Sequence, residues 1–360
     1  MAGCGMSGVK MFVPYTIVNP LTTIRVARRL SRPGEVLVRN GDAVEPMHIV
    51  AQAVEPADFR IIDVARELDI PIKKTQQYLK VTRGDSIAEG DILATRGGIG
   101  GRVCRAPISG AIIGSGRGRL LLEADPQPIQ INALVPGMIV ETWLAEGVLI
   151  ESVGAMIQAT WGNGKEAYGT LRLVVRSPRI PLQAKHINPA AQGKILIGGS
   201  SVDAATLEYA AELQVRGIIV GSIQPSLIPL TQSLELAVIA TEGMGDTPMC
   251  NAIFEMLQSL DGRNAAVSGK MVQRWKMQRP FIVVPMPTQA GRSINAEAPI
   301  EVGNRIRVLR GQYAGMSGTV SDLSPNVFQL ATGARVRGVK ANLGGNESVL
   351  IPYANLERLL

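Results

Sequence analysis

A fourteen-residue pattern recurs without a gap, as VRNGDAVEPMHIVA from Val38 to Ala51 and as VTRGDSIAEGDILA from Val81 to Ala94. The copies share Val, Gly-Asp, Ile and Ala at matching places. Each predicts a strand, a tight Gly-Asp turn in which Gly41 or Gly84 takes a positive φ, and a second strand entering a core. At 360 residues the chain exceeds what one hydrophobic core usually serves, so two to three domains are expected. Apolar residues make up 46% against 19% charged, which supplies ample buried material, while aromatics at 4% leave Val, Ile, Leu and Ala to build the cores. Sheets and α/β layers follow from that palette.

Behind the later copy come Arg105-Ala106-Pro107-Ile108-Ser109-Gly110-Ala111-Ile112-Ile113 and then Gly118 to Glu123. The stretch from Gly34 to Glu123 resembles a barrel-sandwich hybrid, the fold of biotinyl and lipoyl carrier domains, whose pattern is GDxVxxGxxLA, a hairpin, then APxSGxI. The resemblance implies such a domain over residues 1–135. Carriers of that family hold their cofactor on a lysine at the hairpin tip. Here the tip, Thr95 to Arg102, reads TRGGIGGR, and no Lys lies between Lys80 and Lys165. Covalent biotin or lipoate is therefore not expected, and other cofactors stay unassigned. The non-carrier branch, similar to domains of electron-transport complexes, membrane-fusion proteins and RNA polymerase, serves for docking. Asp63 to Asp69 has a helical pattern that Pro71 would stop, and it is expected to be a connector.

Residues 136–190 alternate apolar and polar, with turns at Glu146-Gly147 and at Trp161-Gly162-Asn163-Gly164, and predict a β-meander with an Asn-Gly hairpin that Trp161 covers. The pattern changes over 191–285. Lys194 to Ile197, Gly217 to Val220 and Leu236 to Ala240 are short apolar runs separated by helical stretches, which predicts a small doubly wound, Rossmann-like α/β domain. Ligand sites in such sheets lie beyond the carboxyl ends of the strands. The candidates are Gly198, Gly199 and Ser200 after the first run, and Thr241, Gly243, Gly245 and Thr247 after the third, with Thr247 capping a helix that opens on Pro248. Neither GxGxxG nor a P-loop lysine is present there, so the glycines serve turn geometry or a phosphate cradle. Glu242 and Asp246 are candidates for acid–base work or for a loop charge and a cap.

Residues 286–298 form a Pro- and Gly-containing linker into a new pattern over 299–360. Gly303, Arg305, Arg307, Val308, Gly311, Tyr313, Gly315, Gly318, Thr319 and Val320, with Ile351-Pro352 and Asn355-Leu356 downstream, carry it. This resembles a KOW domain, the SH3-like barrel of NusG-type elongation factors and several ribosomal proteins. The resemblance implies contact with RNA or with a transcription or translation complex, through Arg305, Arg307, Arg310, Tyr313, Arg335, Arg337 and Lys340. Alternation puts Arg305 with Arg307, and Arg335 with Arg337, each pair on one strand face, so four guanidiniums could form one basic patch. Otherwise they are the wet side of a half-buried sheet.

The 37 Lys and Arg against 30 Asp and Glu give +7, which admits polyanions without requiring them. Cys4, Cys104 and Cys250 form no CxxC pair, and His48 and His186 have no metal or triad spacing, so no metal site is expected. Without a signal-peptide or membrane-helix run, a cytoplasmic protein is expected. Three readings follow: a non-catalytic adaptor that docks a protein and RNA or a ribonucleoprotein; a nucleotide- or phosphometabolite-binding enzyme or accessory subunit; and a redox-complex subunit.

Overall fold

The structure, a computed structural model, describes residues 10–55, 58–97, 101–126, 128–271, 278–286, 295–323, 327–330, 332–344 and 348–360. It is mostly β. The chain opens with β1 (Tyr15–Thr16), β2 (Val18–Arg29), β3 (Glu35–Val36), β4 (Ala43–Val44) and β5 (Ile49–Val54). It continues with β6 (Phe59–Ile62), helix α1 (Val64–Leu68), β7 (Ser86–Ile87), β8 (Ile92–Arg96), β9 (Arg102–Arg105), β10 (Gly110–Gly116) and β11 (Arg119–Ala124). Both repeat copies make the same turn. Gly41 and Gly84 have φ of 91° and 98°, and the Asp42 and Asp85 carboxylates each accept an N–H three residues back, from Arg39 and Thr82, at 2.7 Å. Gly41 and Asp42 pair with Ile139 just as Gly84 and Asp85 pair with Ile112.

The copies nevertheless stand in different units. The second lies in a small unit, sheet β6-β11-β10-β7 with hairpin β8–β9, around Leu68, Leu93, Ile112, Leu120 and Leu122. The first joins β12 (Pro128–Asn132), β13 (Gly137–Trp143) and β14 (Gly147–Gln158) around Ile24, Val50, Ile139 and Ile150. Because β5 pairs antiparallel with β12, residues between them form an insertion that leaves the outer unit unbroken. This corrects the single domain expected over 1–135: the repeat fixes a turn, not the partners of its strands. The boundary at 135 also falls within one unit, since β13 pairs with β4 and β14 with β2.

Next come β15 (Trp161–Gly162), β16 (Glu166–Leu173), β17 (Lys194–Ile197), α2 (Ala204–Glu212), β18 (Gly217–Ile223), α3 (Ile228–Ser233), β19 (Ala237–Met244), α4 (Asn251–Ser259), β20 (Asn264–Ser268) and β21 (Phe281–Pro285). Strands β16 to β19 are parallel neighbours in chain order. The apolar runs of β17, β18 and β19 follow from burial on both faces. Ile195, Ile197, Ile219 and Ile239 pack beneath α4, and Leu196, Ile218, Val220 and Val238 beneath α2. The chain then returns through antiparallel β20 and β21 to β14, so the parallel layer and the first unit share one sheet. The expected meander is corrected too. Only β13 and β14 form a hairpin, while β15 pairs with β19 and β16 with β17. Asn163-Gly164 makes a crossover instead: Asn163 Nδ2 donates to the Thr231 and Leu236 carbonyls at 2.8 and 2.9 Å, and its Oδ1 accepts from the Val238 N–H at 3.0 Å. Trp161 packs against the α2-side core rather than over a hairpin.

The last unit comprises β22 (Arg305–Val308), β23 (Ser317–Asp322), β24 (Phe328–Gln329), β25 (Arg335–Val336), β26 (Gly338–Asn342), β27 (Val349–Pro352) and β28 (Leu356–Leu359). Its strand order is β28-β22-β23-β26-β27, with a 3-10 turn over Tyr353–Asn355 before β28 and with β1 added parallel to β28. Ile306, Val308, Val320, Val339, Ile351 and Leu356 fill it. Of the expected linker, residues 287–294 lie outside the described residues, as do Cys4 and 98–100 of the hairpin tip. Among the described residues no helix is long and apolar enough to cross a membrane.

Candidate functional site

The basic residues of the last unit divide into two sets. Arg307, expected on a wet face beside Arg305, is only 2% exposed. Its Nε donates to Glu357 Oε1 at 2.6 Å and its Nη2 bonds the same oxygen, while Nη1 reaches Glu242 Oε2 at 2.9 Å. Glu357 Oε2 in turn accepts from the Thr16 hydroxyl at 2.8 Å, which also accepts from Arg279 Nη1 at 2.8 Å. Alternation along β22 does put Arg305 and Arg307 on one face, but β19 and β1 cover the Arg307 end. Burial opposes the guanidinium's charge, yet the flanking Glu242 and Glu357 outweigh it and hold its pKa above the usual value. At Glu242 burial prevails over Arg307 and raises the carboxyl. Arg307 is therefore a buried tie between the last unit and the parallel layer, not a docking residue, and the four-guanidinium patch is corrected accordingly.

Arg305, Arg310, Arg335, Arg337 and Lys340 are exposed. Arg335 stands on the separate ribbon β24–β25, and Lys340 lies 3.8 Å from the Asp322 carboxylate, an exposed pair that holds it weakly. Tyr313 packs against the core of the last unit. Its loop is seated on the parallel layer, where a Cβ at Gly315 would lie 3.5 Å from Thr247 Cγ2.

The α/β loops are filled largely by the chain itself. A Cβ on Gly199 would come within 2.3 Å of the Ile180 carbonyl, and one on Gly198 within 3.0 Å of Leu182 and Val220. Ser200 and Thr241 are buried: the Ser200 carbonyl accepts from the Ser222 N–H at 2.7 Å, and the Thr241 hydroxyl faces Glu242 at 3.2 Å. Gly243 and Gly245 have φ of 103° and 111°, so these glycines serve the turn. Thr247 does not cap α4. The helix starts three residues later than expected, after Cys250, whose N–H is taken by Glu242 Oε1 at 3.0 Å. The Thr247 carbonyl instead accepts from the Ser222 hydroxyl at 2.9 Å. What remains open beyond β17 and β18 is a cleft of about 380 Å³ that includes Gln183, Ser201, Asp203, Gln224, Ser226 and Asp246.

Sequence reasoning missed Glu357, Arg279 and Thr16. A signal existed for the first: Leu356-Glu357-Arg358-Leu359 sets two charges side by side inside a strand, so one at least must face inward. No known protein family and no curated protein matches this chain.

Proposed function

We propose that this chain is a non-catalytic adaptor whose last unit, an SH3-like barrel of the KOW type, contacts RNA or a ribonucleoprotein. The observation that carries the reading is a partition of charge. Residues 299–360 hold seven Lys and Arg against four Asp and Glu. Arg307, Arg358 and Glu357 are buried, which leaves Arg305, Arg310, Arg335, Arg337 and Lys340 at the surface. Phosphate contact by such residues supplies affinity without sequence preference. The strand order and the 3-10 turn before the last strand support the barrel type. The inserted unit, with its Gly-Asp turn and lysine-free hairpin, fits a second docking piece of the barrel-sandwich kind. The test is fluorescence anisotropy on single-stranded RNA across a salt series. Binding should weaken by about 0.7 log unit per log unit of salt for each phosphate engaged. Arg305→Ala with Arg335→Ala and Arg337→Ala should lower both affinity and slope. An intact chain that binds no RNA, or that binds equally after the three changes, overturns the reading.

The cleft beyond β17 and β18 favours a second reading, a small-ligand site on the parallel layer. Its carboxylates, Asp203 and Asp246, argue for hydroxyl or amine groups over phosphates. A thermal shift with ribose-containing ligands that disappears in Asp246→Leu would support it. No shift with any of them would dismiss it.

A further inference from the structure

Strand β6 ends its four-stranded sheet, and among the described residues nothing pairs with its outer edge. The Asp58 carbonyl accepts the Ala124 N–H at 2.8 Å, so Asp58, Arg60 and Ile62 bond inward to β11. The backbone groups of Phe59 and Ile61 therefore point outward, unpaired. Their side chains are 54% and 68% exposed and share a sheet face with half-buried Leu121. An open edge flanked by large apolar side chains is a template for another strand.

The charges on this edge say which strand. Asp58 and Arg60 alternate with Phe59, and they pair with each other at 2.8 Å with both side chains about 60% exposed. If a second copy of β6 lies antiparallel with Phe59 opposite its own equivalent, Asp58 of each copy stands opposite Arg60 of the other. Opposite charges in that position are favourable, and like charges are not. Shifting the axis by one residue would set Arg60 against Arg60. The edge is thus self-complementary in one register only. We propose that two copies of this chain associate through β6, antiparallel about a two-fold axis at Phe59, joining their four-stranded sheets edge to edge. The short strand makes this a weak dimer.

Sedimentation of the full chain between about 1 and about 100 µM should show concentration-dependent dimerisation. Asp58→Arg or Arg60→Asp alone sets like charges opposite each other and should leave monomers. An equimolar mixture of the two variants should dimerise, because each carboxylate then meets a guanidinium. The double variant D58R/R60D should also dimerise. These side chains are exposed, so circular dichroism should be unchanged in every variant. A wild-type chain monomeric throughout, or single reversals that leave association intact, overturns the proposal. Dimers lost in only one of the two single reversals would also overturn it, because in this register each reversal sets like charges opposite each other.

Discussion

Arg28 and Glu166 lie 138 residues apart and meet with bonds of 2.6 and 2.9 Å, both nearly buried. Ser268 and Lys270 supply further bonds to the same carboxylate at 3.0 and 2.9 Å. Burial alone would raise this carboxyl, but the bonds and charges of Arg28 and Lys270 outweigh it and hold its pKa at about 2 against 4.5. A lowered folded-state value means that stability is present above pH 4.5 and is lost as pH falls from there toward 2. A gap of that size corresponds to about 3 kcal/mol. Glu166→Gln should lower the urea midpoint at neutral pH and flatten its fall between pH 4.5 and 2, read by fluorescence. The sign is opposite at Glu242, whose raised value favours the folded state below the ordinary carboxylate range and withdraws that stability as pH rises. Glu242→Gln should thus lose less stability than Glu166→Gln at neutral pH, by the same measurement. Neither pair was legible in the sequence, because nothing local marks two charges that meet across so long a separation. Arg307 shows the converse case, in which a correct strand alternation gave a wrong exposure because a neighbouring unit covers the face.

Elements were more legible, since their causes are local. The repeat, the Gly-Asp turns and the parallel runs all depend on residues within a few positions of one another. The turn is in fact commoner than the repeat. At Gly90 φ is 88° and Asp91 accepts the Ala88 N–H at 2.8 Å; at Gly303 φ is 89° and Asn304 accepts the Glu301 N–H at 2.9 Å. Gly90-Asp91 lies within the second copy, where the first has Met47-His48, and Gly303-Asn304 lies far outside it, so these turns share little besides Gly followed by Asp or Asn, too little to stand out as copies. Asn163-Gly164 failed because its side chain bonds to strands far along the chain, which a hairpin motif cannot register. Asp42→Ala and Asp85→Ala should each cost about 1 kcal/mol, the lost bond to a turn N–H. Their locations should differ. Hydrogen exchange should speed up over β10 and β11 in Asp85→Ala and over β13 and β14 in Asp42→Ala, and the same protected amides changing in both would contradict the two-unit division.

At the scale of the molecule, the question is what holds the last unit to the rest. The first strand contributes, since Thr16 pairs with Leu359 and Gln158 N–H bonds the Ile17 carbonyl at 2.8 Å, so one short segment joins the last unit to β14. The tie is completed by Arg307 between Glu242 and Glu357, three side chains with little access to water. Taking such charges out of water is costly, and mutual attraction repays it only while every partner is present. Arg307→Ala would leave two carboxylates buried without their cation, a loss of about 3–5 kcal/mol. Part of that loss should appear as detachment, because water reaches the stranded carboxylates most readily when the last unit swings away. The expected result is a larger radius of gyration by X-ray scattering and faster exchange at the Cys250 amide, with the β22–β23 amides still protected. Arg307→Met combined with Glu242→Gln and Glu357→Gln removes all three charges and should keep the wild-type radius. A triple variant as expanded as Arg307→Ala would mean that the ion triad itself supplies net attraction. Equal compactness in all three chains would assign the docking to β1 and the apolar contacts. On the proposed adaptor reading RNA is met by surface side chains that take no part in this junction, so RNA binding should survive Arg307→Ala even as the two units lose their fixed relation.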